Sequence, residues 1–572
     1  MFDTLPTHFD DFKIWPWDQI APYGDNLLAR DLDTATVDGW LADWTQLFNL
    51  IGETRARLQV ATTTNTADEE AETALKQYTE NIMPRARELE QQLKEKLLAS
   101  GLEPAGFEIP LRTLRVEAEI FRAENLPLQI EIEQLGIEVR KISGEMTVEW
   151  DGEELPLAKL WTRLQNPDRD LRERAWHAGI ARLMQERDRY DEAWAKFLDL
   201  RLQMAHNAGF DDYRSYRWQE LGRFDYTPED CQTFHAAIEE VVIPAVSRLN
   251  ERRKAHMGVD TLRAWDIYWF GAPDPFGRPG LEPYTTLEEL EEKTEAIFRQ
   301  VDPALGDYFH IMRNDGLMDL ESRKNKMRGG YMTMFPVAKR PFIFTTAAGV
   351  HGDVQTLLHE GGHAFHYFES AQQPYYQQYM SPMEFAEVGS MAMELLAAPY
   401  LAEEHGGFYS AADANRARAE HLEGNIRFWP YMAVVDSFQH WVYENPDAAH
   451  DPRQADAAWA ACFRRFMPDY DWTGIEDHLE IYWRLQGHIM GDPFYYIEYG
   501  LAQLGAAQIW ANARQDQAGA VARYREALAL GNTRPLPDLF AAAGARLAFD
   551  AGTLRETVDL IMQTIEELDT DV

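Results

Sequence analysis

The chain has 572 residues, 45% of them hydrophobic, and its 17 Trp, 24 Tyr and 28 Phe are enough to bury a large core, which excludes a disordered protein. Its 95 acidic residues against 55 basic give a formal charge of −40, which opposes the phosphate attraction that nucleic-acid binding needs and is most simply a solubility device. Cys231 and Cys462 are the only cysteines, too few for a disulfide framework or a thiolate metal site, and they read as buried thiols.

The N-terminus, MFDTLPTHFDDFKIWPWDQ, lacks the basic start and apolar core of a signal peptide, and no 18-residue apolar run occurs in the chain. A soluble, cytoplasmic protein is expected. This aromatic start reads as loop. From about residue 35 to 100 apolar and charged positions alternate with helical spacing, as in ETALKQYTENIMPRARELEQQLKEKLLASG, and Gly101 is placed to stop the last helix. The acidic run ADEEAE, 67–72, reads as a solvated helix start.

The stretch EIEQLGIEVRKISGEMTVEWDGEELPLAKL alternates like strands, with turns expected near Gly144 and at Asp151-Gly152. Long helices return at NPDRDLRERAWHAGIARLMQERDRYDEAWAKFLDLRLQMAHNAG, with Pro167 near a start and Gly209 near a stop. Another helix is expected from Thr286, where Glu289 is placed for a capping box. RGGYMTMFPVAKRPFIFTTAAG, Arg328 to Gly349, then breaks the rhythm and reads as a hairpin turning at Pro336. No Pro-, Gly- and Ser-rich linker, repeat or low-complexity tract divides the chain, which argues for one large body or two closely packed parts.

The stretch TLLHEGGHAFHYF follows that hairpin directly. Helical geometry puts His359 and His363 one turn apart on one face, where both imidazoles can reach one ion, with Glu360 about 100° around, beside a metal-bound water. That is the chemistry of a zinc peptidase, and it requires a third ligand. His366 shares the face but lies about 10 Å along the axis from His359, so it is a neighbour of the site and not a ligand. Position 366 is not the Gly that would turn the chain toward Glu369. The thermolysin-like spacing falls on Pro382 and Met383.

The apolar helical segment SPMEFAEVGSMAMELLAAPYL remains. Its Glu387 and Glu394, seven residues apart, share a face, and a carboxylate in so apolar a run needs a partner. Glu387 is read as the third ligand, Glu394 as the group that orients an imidazole, and Glu384 as a charge at the helix start.

At these residues the chain resembles the oligoendopeptidase F and thimet oligopeptidase family of zinc metallopeptidases, in its bacterial oligoendopeptidase branch. The resemblance is carried by TLLHEGGHAFH, EFAEVGSMAMELL and LQGHIMGDPFYYIEYGLAQLGA, and runs from about residue 160 to about 565. It implies a mainly α fold: a large helical ellipsoid with a deep substrate cleft and a small hairpin or sheet beside the zinc helix, on a thermolysin-like zincin core. It also implies an N-terminal helical region with a small β patch, 1–190, and a catalytic metallopeptidase domain, 191–572.

The implied activity is that of a zinc-dependent oligoendopeptidase, cutting internal bonds of short unstructured peptides by Glu360-assisted attack of a zinc-bound water. One Zn²⁺ per chain is expected on His359, His363 and Glu387, with short peptides as the partners, no nucleic acid, no membrane, and a monomer preferred. The family further implies that His488 and Tyr499, with Tyr495 or Tyr496, stabilise the oxyanion, and that the hairpin binds extended substrate through its main chain. A zinc carboxypeptidase or dipeptidyl carboxypeptidase has nearly the same ligand spacing and remains the rival enzyme reading; a peptide-binding or chaperone-like protein whose zinc is structural and whose cleft has lost catalysis is the rival outside enzymes.

Gly361 departs from the family's usual large apolar residue. Two glycines inside a helix cost roughly 1 kcal/mol each relative to alanine, which points to something packed closely against them.

Overall fold

The computed structural model describes residues 1–267 and 274–569. It is mainly helical, with one two-stranded and one three-stranded sheet among the described residues. The chain forms two compact units, each built from three segments. The first comprises Met1–Ala118, Leu281–Ala417 and Ala502–Leu547; the second comprises Glu119–Gly280, Arg418–Leu501 and Ala548–Val572. These are units of compactness, whereas 1–190 and 191–572 is a division along the chain, with residue 190 inside the helix Arg187–Asn207.

In the first unit, the N-terminal stretch read as loop contains a helix, Trp17–Ala29, in spite of Pro22. Ile20, Tyr23 and Leu27 recur at helical spacing and are buried, and Gly24 admits Leu89, whose Cδ2 would lie 2.5 Å from a Cβ there. Helices Val37–Thr64, Glu69–Asn81 and Met83–Ser100 follow, and Gly101 ends the last at φ +66°, as its sequence position predicts. The acidic run 67–72 is a helix start, where Asp68 accepts from the Ala71 N–H. Trp40, Trp44, Leu47 and Leu93 fill the core between these helices.

The three-stranded sheet also belongs to this unit. In the second unit the strands β1, Thr147–Trp150, and β2, Glu153–Pro156, form the expected hairpin about Asp151-Gly152. In the first, β3 is Met318–Glu321, β4 is Tyr331–Phe335 and β5 is Arg340–Ala347, in the order β3-β5-β4. The antiparallel β4–β5 pair is the hairpin expected around Pro336; β3, parallel to β5 on its other side, had no clear sequence signal. Glu53 fixes the turn: its buried carboxylate accepts from the Val337 and Ala338 N–H groups at 2.7 and 3.1 Å.

One part of the sequence reading is corrected in the second unit. Residues 125–145 are a helix, and Gly144 lies inside it. The alternation of isoleucines suggested strand, but the buried apolar positions are Leu135, Val139 and Ile142, a helical stripe, while Ile130 and Ile137 face solvent. Downstream, helices Arg169–Gln185 and Arg187–Asn207 start and stop where Pro167 and Gly209 predict. In the first unit, the helix Leu287–Val301 has Thr286 as its cap, with Glu289 reaching back to Thr285.

Candidate metal centre

The helix His351–Ser370 carries the His-Glu-Gly-Gly-His motif and packs on β5. Its start is held by Asp353. One buried carboxylate oxygen, Oδ2, accepts from the Ala348, Gly349 and Val350 N–H groups at 2.9, 2.8 and 2.9 Å and from the Tyr284 hydroxyl at 2.5 Å. These bonds satisfy donors that a helix start leaves open and join the end of β5 to the motif helix.

The helix Met383–Ala397 lies alongside, and the two motif glycines explain the close approach. A Cβ on Gly362 would meet Ser390 Cα at 2.6 Å and the Gly389 carbonyl at 2.7 Å, so only glycine lets the two backbones pass. On Gly361 a Cβ would meet the Phe298 ring at 2.5 Å. Both small positions serve packing.

That approach brings the donors together. Glu387 Oε2 lies 3.5 Å from His359 Nε2 and 3.6 Å from His363 Nε2, and donor atoms of the three residues all fall within 4.8 Å of one another. The two rings are nearly perpendicular, at 87°. His359 Nδ1 donates to Glu394 Oε1 at 2.7 Å, and Ser390 Oγ donates to Glu387 Oε2 at 3.1 Å. Two imidazoles and a carboxylate, held by further hydrogen bonds, suit a divalent ion such as zinc.

Glu360 is buried, and its Oε2 has no hydrogen-bond partner. A buried carboxylate oxygen without a donor is costly unless water or an ion meets it, which fits a site completed by both. Electrostatics agree. Burial pushes Glu360 up to about 7, further raised by Glu387 and Glu394 and opposed by His359. Burial works against charge on His359, but Glu394, Glu387 and Glu360 outweigh it and hold the ring up at about 9. Burial keeps His363 well below the usual histidine range. Three carboxylates thus draw a proton onto one imidazole, in a place where a cation would be stabilised.

The remaining motif residues fall outside that group. His366 is buried with Nε2 2.8 Å from Ser381 Oγ, and Glu369 pairs with Arg525 at 2.7 Å. Glu384 sits in the first turn of its helix, as expected, but is buried.

Residues 162–558 match the sequence family described as peptidase family M3. The chain belongs to peptidase family M3. Among solved structures this M3 peptidase is similar to PZ peptidase A, solved with an inhibitor, with a TM-score of 0.88, 27% identity and 100% of each chain covered. It is also similar to a protein provisionally assigned as oligoendopeptidase F, with a TM-score of 0.86, 26% identity, and 97% of this chain and 96% of that one covered. A third, provisionally assigned as oligoendopeptidase F from Bacillus anthracis strain Ames, shares the fold at TM-score 0.84 and 22% identity, with 97% of each chain covered. Among curated proteins, no sequence matches. No helix among the described residues of the M3 peptidase is long and apolar enough to cross a membrane.

The C-terminal residues singled out in the sequence form one cluster in the second unit of the M3 peptidase. His488 lies with its ring centroid 5.7 Å from Tyr495, 5.1 Å from Tyr496 and 6.0 Å from Tyr499, and each ring is only partly buried. Burial pulls His488 down and raises Tyr496 to about 12, so both favour the neutral forms that donate hydrogen bonds near neutral pH. Glu498, buried between them in sequence, pairs with Arg223 at 2.7 Å and anchors the segment.

Sequence reasoning missed Asp353, Tyr284 and Gly330. The first has a signal, an acidic residue in the first turn of a helix; the second has none. Gly330, just before β4, would put a Cβ 3.4 Å from Glu360 Oε1, so the strand begins against the carboxylate.

Proposed function

We propose that this M3 peptidase is a zinc-dependent oligoendopeptidase that hydrolyses internal bonds of short, unstructured peptides. The observation that carries this reading is the convergence of His359, His363 and Glu387 beside the buried, unpartnered carboxylate oxygen of Glu360. His359, His363 and Glu387 hold the zinc ion, which when bound supplies a Lewis acid and lowers the pKa of water. Glu360, poised near neutrality, takes a proton from the attacking water and passes it to the leaving amine. No covalent intermediate is needed.

His488 and Tyr499, with Tyr495 or Tyr496, donate toward the negative charge that develops on the carbonyl oxygen. The substrate pairs as an added strand with β4, an edge strand of its sheet, and Gly330 at its head brings the peptide past Glu360. Main-chain pairing tolerates many side chains, so broad specificity follows. The similarity to PZ peptidase A and to provisional oligoendopeptidases F supports the same reading.

The test is cleavage of an internally quenched peptide of about ten residues, blocked at both ends, with products mapped by mass spectrometry beside Glu360→Gln. Internal cuts that disappear in the variant are expected. Cleavage that requires a free substrate C-terminus would identify a carboxypeptidase instead.

A further inference from the structure

The second unit holds a cluster that the proposed reaction does not use. Helix Pro228–Ala237 carries Cys231 and His235, and helix Ala411–Glu444 carries Asp436 and His440. Each pair is spaced four residues apart and so shares one helix face. Donor atoms of Cys231, Asp436 and His440 all lie within 4.8 Å of one another, and the one other such group among the described residues is His359, His363 and Glu387. His235 falls outside that group, although its Nε2 is 2.8 Å from Asp436 Oδ2; His440 Nε2 is 3.3 Å from the same oxygen.

All four side chains are buried, Cys231 and Asp436 completely. Asp436 Oδ1 and His440 Nε2 nevertheless have no hydrogen-bond partner. In a fully buried place, a carboxylate oxygen and an imidazole nitrogen that both offer a lone pair, the nitrogen once its proton sits on Nδ1, point to one ligand that takes both. Phe466 against His235, and Trp218 and Phe494 against His440, surround the imidazoles with apolar rings that keep water out.

We propose that Cys231, His235, Asp436 and His440 form a structural site for a zinc-type divalent cation, which ties helix Pro228–Ala237 to helix Ala411–Glu444. Thiolate, imidazole and carboxylate are the donors such an ion takes, and four of them leave no open position for chemistry. One thiolate and one carboxylate cancel the double charge, so the loaded site is neutral where an uncompensated charge would be costly.

The protons balance. The Cys231 thiol proton leaves to solvent. The His235 proton moves from Nε2 to Nδ1, where Ser437 Oγ, 3.0 Å away, accepts it. His440 likewise carries its proton on Nδ1, so the 3.3 Å contact from Arg214 opens, and Arg214 keeps its ion pair with Glu444. The His235–Asp436 hydrogen bond widens toward the roughly 3.3–3.8 Å that separates donors around a tetrahedral ion.

The test uses the full chain, stripped with chelator and reloaded with Co²⁺, and reads near-ultraviolet absorption and metal content. A sulfur ligand gives a thiolate-to-Co²⁺ charge-transfer band, which His359, His363 and Glu387 cannot produce. A band is expected in the wild type, with a second Co²⁺ per chain, and it should persist in His363→Ala. It should persist in Cys462→Ser and be lost in Cys231→Ser together with one ion. Absence of the band from the loaded wild type, or its survival in folded Cys231→Ser, overturns the proposal. Where Cys231→Ser does not fold, Cys462→Ser decides alone, since Cys231 is then the one sulfhydryl in the chain. Peptide cleavage is not read, so this site and the proposed reaction fail or stand separately.

Discussion

His359 Nδ1 donates to Glu394 Oε1 across 2.7 Å while the other nitrogen of the same ring faces Glu387 Oε2 at 3.5 Å. The carboxylate of Glu394 therefore holds the ring and leaves Nε2 facing Glu387, free to serve as the proposed ligand atom. Glu394→Gln keeps the shape and loses the charge, and should weaken zinc binding about 10- to 100-fold. Competition against a chromophoric chelator measures this, and excess zinc should restore cleavage. Unchanged affinity would mean that packing alone orients the ring.

Glu360→Gln separates holding the metal from moving the proton. The side chain is not among the proposed ligands, so zinc content should stay at the wild-type level. Loss of the general base should lower kcat by about 10²- to 10⁴-fold with a smaller change in KM. Steady-state kinetics with metal analysis of the same preparation tests both halves. Turnover within a factor of a few of wild type would remove Glu360 from the proposed role.

Much of the candidate metal centre's geometry was legible because helix periodicity converts sequence spacing into direction. Residues four apart share a face, so His359 with His363 was readable, as was the pairing of Glu387 with Glu394 on a second helix. What spacing cannot express is the meeting of separate elements. Asp353 accepts from the turn that follows β5 and from Tyr284, which is 69 residues away, and no local pattern announces the Tyr284 bond. Parallel pairing of β3 with β5 is equally non-local. The misread stretch 131–145 fails for another reason: charged residues between isoleucines imitate a period of two, and only burial of Leu135, Val139 and Ile142 reveals the true stripe.

The two motif glycines should respond differently to alanine. Each substitution gains about 1 kcal/mol of helix propensity. At Gly362 the new Cβ would meet backbone, Ser390 Cα at 2.6 Å, and the helices can accommodate it only by separating. Overpacking of this kind costs about 1–3 kcal/mol, and separation also moves His363 from Glu387, so Gly362→Ala should lose both stability and zinc affinity. At Gly361 the obstacle is the far edge of the Phe298 ring, a side chain and not backbone. Gly361→Ala should cost less, and Phe298→Leu should relieve it. Urea midpoints of the four proteins and their zinc affinities provide the test. Equal losses at the two glycines would contradict the backbone contact.

His366 gives the fold a dependence on acid. Its Nε2 lies 2.8 Å from Ser381 Oγ, and burial pushes its pKa down to about 4. In the unfolded chain a histidine takes its proton near 6.5. Between these values the unfolded state binds more protons than the folded one, so the neutral ring's contribution is complete above about pH 6.5 and is lost as pH falls toward 4. At pH 5 the loss should be about 2 kcal/mol. Urea unfolding near pH 7 and pH 5, in chelator so that metal release does not intrude, should show this loss in the wild type. His366→Asn cannot titrate and should lose less over the same interval. If both proteins lose stability equally, the proton is taken up elsewhere.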